Sequence, residues 1–127
     1  MYNRFPGNVV ISTYLIRALI ADGTKASAIR AIPIIREQLL VRQGDPTIYD
    51  LYAQAANRAG KPIKTAEAVA EASYLRGNLH QAVQKLREVA RKKDLDYYQR
   101  ARISARLAEL EIELAESGQR LQKTRRS

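Results

Sequence analysis

The chain has 127 residues, of which 46% are hydrophobic, and its 22 Lys and Arg residues against 13 Asp and Glu residues give a formal net charge of +9. This length fits one domain, and the apolar share excludes a disordered chain. Because the sequence has no Cys and one His, it excludes a disulfide framework, a thiolate nucleophile, an iron–sulfur cluster and a two-histidine zinc motif.

The chain begins with a segment that suggests an incomplete repeat. Phe5-Pro6-Gly7-Asn8 is similar to the end of a helical repeat, so we expect the chain to be cut from a longer protein and Met1 to be an added start. The longest apolar stretch follows at residues 9–21. It is too short to cross a bilayer and contains Arg17, so no membrane span is expected.

Helical periodicity interrupted by glycine predicts six helices. Four glycines each follow a segment with apolar residues three and four apart, where a helix commonly ends in a left-handed residue. They are Gly23, Gly44, Gly60 and Gly77. The predicted helices cover residues 8–22, 24–42, 46–59, 62–76, 78–92 and 95–116, and the short turns require antiparallel neighbours.

The second predicted helix contains Pro33. This proline cannot donate a hydrogen bond to the carbonyl of Ile29, at a cost of about 3 kcal/mol. The sequence therefore predicts either a kink or a break in this helix.

The last nine residues are basic. They include Arg120, Lys123, Arg125 and Arg126 and no acid, and they are predicted to form a solvated tail, 119–127, outside a helical domain that covers residues 1–118. The alternative for this tail is contact with an anionic partner.

Helix pairs with a period of about 34 residues indicate tetratricopeptide (TPR) repeats. The best match runs over residues 65–90, with small residues at Ala70 and Ala82, an aromatic at Tyr74 and a turn at Gly77. A second match starts at Tyr49. The sequence thus predicts an all-α fold, a right-handed α-solenoid of about six antiparallel helices in roughly three TPR-like repeats. The fourth helix belongs to both matches, so the repeat frame stays open.

A longer stretch, residues 45–111, resembles the C-terminal TPR domain of bacterial periplasmic zinc metallopeptidases associated with outer-membrane protein assembly and quality control. The matching segments are Asp45-Pro46, Tyr49-Asp50-Leu51, residues 70–78, residues 82–86, residues 96–103 and Arg106-Leu107. The resemblance implies a substrate- or partner-binding domain. It also implies that the zinc ligands lie in a separate peptidase domain, so that this chain holds no cofactor and no catalytic residue. The implied location is the periplasm; without the resemblance we expect the cytoplasm.

The predicted function is binding of a protein or an extended peptide in the concave groove of the solenoid. The candidate groove residues are Thr13, Arg17, Asp50, Gln54, Asn57, Arg58, Glu71 and Tyr74. In the alternative repeat frame, the groove residues of the fourth helix are Lys64, Glu67, Glu71 and Tyr74. No small-molecule substrate is expected.

Two other functions are open. The net charge suggests binding to nucleic acid or another anionic surface, but nucleic acid is not the expected partner because basic and aromatic residues are not interleaved. Self-association through an exposed end of the stack is a further alternative.

We expect Arg100, Arg102 and Arg106 to form a solvated face. Of Tyr97 and Tyr98, one ring is expected to pack under the fifth helix and the other to cover the end of the stack, with an aromatic contact surface as the alternative.

Overall fold

A computed structural model describes the backbone of residues 9–126 and the side chains of residues 9–121. It contains α1 (Val9–Ala21), α2 (Lys25–Val41), α3 (Pro46–Arg58), α4 (Pro62–Leu75), α5 (Leu79–Ala90) and α6 (Tyr97–Arg126). No strand occurs in this part of the chain, which confirms the predicted all-α class. The predicted repeat end at residues 5–8 and the added start at Met1 lie outside the described residues.

Consecutive helices pack against each other, and α1 also contacts α3. The connections between α1 and α5 are short, covering residues 22–24, 42–45, 59–61 and 76–78. Each of these helices therefore runs back along the one before it. None of the six helices, over the residues described, combines the length and apolarity that a bilayer span requires.

The end of α4 shows why glycine marks the turns. Gly77 has a φ of 86°, its N–H donates to the carbonyl of Tyr74 at 3.0 Å, and the N–H of Asn78 donates to that of Ser73 at 2.8 Å. This arrangement satisfies carbonyls that the helix leaves unpaired at its end. The prediction is wrong for Gly44, which has no positive φ, because α2 already ends at Val41 and Gly44 lies within the following turn.

Two prolines and one aspartate mark the starts of α3 and α4. Pro46 and Pro62 are the first residues of α3 and α4, and the Asp45 side chain accepts a hydrogen bond from the Thr47 N–H at 2.9 Å. Pro33 does not break α2, which runs continuously over Lys25–Val41 with Pro33 exposed.

The core lies in three clusters of buried side chains, of which the smallest joins α4, α5 and α6 around Val89 and Ile103. Side chains of α1, α2 and α3 form most of the largest one, in which Ile16, Ile35 and Ile48 are almost completely buried. Val83 and Leu86 of α5 and Leu110 of α6 pack with Ala70 of α4 in the second. Many buried residues are alanines, which allows the helix axes to approach closely.

Helix α6 is much longer than its neighbour. It has 30 residues against 12 in α5, so at 1.5 Å per residue it measures about 45 Å against about 18 Å. Leu110 is 1% exposed, whereas Leu121 is 65% exposed. The helix was expected to end near Glu116 but continues through the basic segment to Arg126. Its C-terminal part extends beyond the packed core.

Candidate partner-binding cleft

A cleft with a volume of about 160 Å³ lies between α3, α4 and α6. Buried side chains of Ala68, Leu86 and Ile103 form its apolar floor, and Tyr49 and Tyr52 form an aromatic wall. The charged residues at its rim are Lys64, Glu67, Glu71, Arg102 and Arg106. The cleft thus combines an apolar interior with a polar entrance.

Two parallel ion pairs join α4 to α6 at this rim. Arg102 contacts both carboxylate oxygens of Glu67 at 2.7 Å, and Arg106 contacts both oxygens of Glu71 at 2.7 and 3.0 Å. In both helices the members are four residues apart, so they share a face. These arginines were expected on a solvated face; their side chains are 42% and 30% exposed, and each one also meets a carboxylate on α4.

Arg106 is the most highly connected side chain of the rim. Its guanidinium lies 4.9 Å from the centre of the Tyr74 ring and also contacts Glu109 at 3.1 Å. Chiefly the hydrogen bond to Glu71 raises the pKa of Arg106 above its ordinary value. The Tyr74 hydroxyl donates to Glu113 at 2.9 Å, and this hydrogen bond raises the pKa of Tyr74.

The two tyrosines of the aromatic wall are fixed by a hydrogen bond and by burial. The Tyr52 hydroxyl accepts a hydrogen bond from Nε of Arg36 at 3.2 Å, and burial raises the pKa of Tyr49. Lys64 differs from the two arginines, because no ion pair to it is found among the side chains of residues 9–121. The rim therefore carries three cations against two carboxylates.

The predicted groove residues do not all meet at this cleft. Glu71 lines it, and Tyr74 lies beside it under Arg106. In the alternative repeat frame, Lys64, Glu67 and Glu71 all line the cleft. The frame that places the groove on the fourth helix therefore names more of the residues that line this cleft than the frame that places it on the third helix.

The other candidates on α3 have separate surroundings. Asp50 binds Arg76 at 2.9 Å, and this hydrogen bond lowers the pKa of Asp50. Arg58 donates to the carbonyl of Ile20 at 2.9 Å and so joins α3 to the end of α1. Gln54 is exposed.

The remaining candidates border two other depressions, with volumes of about 270 and 350 Å³. Asn57 borders one with residues of α4 and α5, including Val69, Lys85 and Val89. Thr13 and Arg17 border another, formed by residues 9–17 of α1. The predicted single groove is thus divided among several places in this structure.

Sequence reasoning did not place Tyr49, Tyr52, Arg102 and Arg106 at a site. The first two belong to an apolar stripe, and the arginines were expected to face solvent. The signal that could have identified the ion pairs is the equal spacing of four residues between Glu67 and Glu71 and between the two arginines. Such a match indicates facing helices only once their order in space is known.

Tyr97 and Tyr98 do not pack as predicted. Their side chains are 81% and 78% exposed, and their rings meet edge to face with centres 5.7 Å apart. Because α6 begins at Tyr97, both rings project from its first turn rather than under α5. The alternative of an exposed aromatic surface agrees with this geometry.

No group of three or more His, Asp and Glu residues within the described part of the chain is arranged to hold a metal ion. Comparison of the chain with protein-family models, with curated proteins and with solved structures found no match.

Proposed function

We propose that the chain is a non-catalytic protein- or peptide-binding module of the TPR type, arranged as a right-handed solenoid. In this proposal it serves as the substrate- or partner-binding domain of a periplasmic zinc metallopeptidase. The parent enzyme, its separate zinc domain and its location are inferred from the sequence resemblance over residues 45–111. The observation that carries the binding function is the cleft between α3, α4 and α6.

The size of the cleft favours a side chain over a small-molecule ligand. Sites for cofactors and drug-sized molecules usually enclose about 300–1,000 Å³, whereas this cleft encloses about 160 Å³. That volume suits one apolar side chain of a peptide, in contact with Ala68, Leu86 and Ile103. Anchors of this kind supply much of the affinity of protein interfaces.

The rim supports the same function. The ion pairs of Arg102 and Arg106 hold α6 against α4, so the walls of the cleft need little ordering when a partner binds. Lys64 adds to this rim a positive charge that forms no ion pair with the side chains of residues 9–121. We therefore expect the bound peptide to place an apolar side chain in the cleft and to carry an acidic residue next to it.

Display of random peptides, selected against the folded chain, provides a ligand whose affinity calorimetry can then measure. Ala68→Leu fills the floor of the cleft, and Lys64→Glu reverses the charge of this residue at the rim. Each change should weaken binding about tenfold or more. Ala26→Leu, on the exposed face of α2, is the matched control and should leave the affinity unchanged.

A truncation separates this proposal from general electrostatic attraction. Removal of residues 119–127 lowers the positive charge of the chain but leaves the cleft complete, so peptide binding should persist. If the truncation abolishes binding while Ala68→Leu has no effect, the cleft is not the binding site. Circular dichroism checks that every variant keeps its helix content.

A further inference from the structure

The connection between α5 and α6 presents an exposed aromatic pair next to a run of cations. Tyr97 and Tyr98 are among the most exposed large hydrophobic side chains in the described part of the chain, at 81% and 78%. Their planes are inclined at 83°, so the two rings do not stack on each other and each retains an open face. Large exposed rings without a packing role indicate a surface that meets a partner.

Three consecutive cations precede these rings. Arg91, Lys92 and Lys93 are consecutive and exposed, and none of them forms an ion pair with a described side chain. Arg102 and Arg106, in contrast, are bound to carboxylates. Two cations of α6 are thus paired with carboxylates of α4, whereas the three cations before this helix share their connection only with the exposed Asp94 and Asp96, to which no ion pair is found among the described side chains.

Hydrogen bonds restrain the backbone that carries the cations and the rings. Arg100, in the first turn of α6, donates to the carbonyls of Ala90 and Lys92 at 3.4 and 3.0 Å. Asp96 and Gln99 form a reciprocal pair in which each side chain accepts from the other's backbone N–H, at 2.7 and 3.0 Å. Because these bonds already restrain the connection, it loses little conformational entropy when a ligand binds.

We propose that Arg91, Lys92, Lys93, Tyr97 and Tyr98 form a binding surface for single-stranded nucleic acid. Bases stack on the tyrosine rings, and the adjacent phosphates contact the three cations. Stacking on aromatic side chains beside a positive surface is how single strands are bound without sequence readout. The bases of a duplex are not free to stack in this way. An interfacial membrane segment needs an apolar face, whereas the only aliphatic side chain in residues 91–100 that is larger than alanine is the half-buried Leu95.

This surface shares no residue with the cleft, so the inference does not rest on the proposed peptide-binding function. The test is fluorescence anisotropy of a labelled oligothymidylate of about 15 nucleotides, titrated with the full chain at low and at moderate salt. We expect binding that weakens as salt rises, with a log–log slope of about −0.7 per phosphate contact. Duplex of the same length should bind more weakly.

Two matched pairs of variants identify the residues responsible. Tyr98→Ala should lower the affinity about tenfold, whereas Tyr98→Phe, which keeps the ring, should retain it. Tyr14→Ala removes a ring that is 73% exposed on α1 and should have no effect. Lys92→Ala with Lys93→Ala should reduce both the affinity and the salt slope. Lys25→Ala with Lys61→Ala lowers the net charge by the same amount and should reduce the affinity and the salt slope less.

Three results would overturn the inference. The first is absence of binding at low salt, and the second is equal loss of affinity from the two lysine pairs without any effect of Tyr98→Ala. The third is tyrosine-dependent binding to polyglutamate or to anionic phospholipid vesicles that equals or exceeds binding to the oligonucleotide. That result would assign the surface to an acidic polypeptide or to a membrane.

Discussion

Arg106 on α6 and Glu71 on α4 are 35 residues apart in the sequence and are joined by two hydrogen bonds of 2.7 and 3.0 Å. Arg102 and Glu67 repeat the arrangement one turn away. Since α5 lies between α4 and α6 in the chain, these pairs connect helices that are not sequence neighbours. They form one side of the proposed peptide-binding cleft and restrain its width.

This relationship predicts a measurable coupling between Arg106 and Glu71. Their side chains are 30% and 23% exposed, and the contact is bidentate, so a double-mutant cycle with Arg106→Lys and Glu71→Gln should give about 1 kcal/mol. Urea denaturation measures the free energy of unfolding of each variant. The exposed pair Lys85–Glu88, with its atoms 3.8 Å apart, is the control and should give a coupling near zero. Equal coupling free energies for the two pairs would show that the Arg106–Glu71 pair stabilises the fold no more than an exposed ion pair does.

Gly77→Ala should destabilise the fold by about 1–2 kcal/mol. No atom lies within 4 Å of the position of the added Cβ, so the whole effect comes from the φ of 86°, which is unfavourable for a residue with a side chain. Gly44→Ala is the matched control, because it also adds a methyl group in open space but at a residue without positive φ. Thermal or urea denaturation should show a change near zero for Gly44→Ala. An unchanged stability of Gly77→Ala would mean that α4 ends differently.

Leu110 and Leu121 should respond very differently to truncation, although both lie on α6. Leu110 is 1% exposed and packs against α5, so Leu110→Ala should cost about 2–5 kcal/mol. Leu121 is 65% exposed, and Leu121→Ala should change the free energy of unfolding by less than about 0.5 kcal/mol. A large decrease in the free energy of unfolding from Leu121→Ala would show that the C-terminal part of α6 packs against other side chains.

Gln38 is expected to reduce the stability of the fold. Its side chain is fully buried in α2, and neither its amide nitrogen nor its amide oxygen has a hydrogen-bond partner in the structure as described. Because a buried polar group without a partner costs about 1–3 kcal/mol, Gln38→Leu should raise the free energy of unfolding by about 1 kcal/mol or more. Gln54→Leu, at an exposed site, is the control and should have little effect. A destabilised Gln38→Leu variant would indicate that the amide does have a partner.

The Asp50–Arg76 pair predicts a pH dependence at the acid end. The hydrogen bond from Arg76 lowers the pKa of Asp50 in the folded chain below its ordinary value of 3.8. The contribution of this group is therefore complete above about pH 4 and is lost as the pH falls through the lower, folded pKa. The pair is partly exposed, so wild type should exceed Asp50→Asn by no more than about 1 kcal/mol at neutral pH. Urea denaturation from pH 7 to pH 2 should show this difference disappearing, and a difference that persists at pH 2 would contradict the assignment.

The sequence alone determined most of the local structure. Helix boundaries at Gly60 and Gly77 and at Pro46 and Pro62 were predicted correctly, since capping and turn formation depend on residues only a few positions apart. The all-α class followed from the same periodicity. Pro33 was harder to interpret, because the packing of α2 against its neighbours decides whether a proline breaks the helix.

The candidate site was only partly predictable. Glu71 and Tyr74 were named from the repeat pattern, and the cleft does include or adjoin them. Asp50 and Arg58, named by the same reasoning, are instead bonded to Arg76 and to the carbonyl of Ile20. A repeat pattern indicates which side of a helix is polar, but it does not show which charges already have partners.

Only the tertiary structure decided that Arg102 and Arg106 meet Glu67 and Glu71, while Arg91, Lys92 and Lys93 form no ion pair with a side chain of residues 9–121. It also decided that both rings of Tyr97 and Tyr98 face outward. These outcomes depend on the rotation of α6 about its own axis and on its position relative to α4, which the burial of Ile103 and Leu110 determines. Local sequence specifies that a helix forms, whereas contacts between distant segments set the orientation of its faces, because only those contacts bury apolar surface from several helices at once.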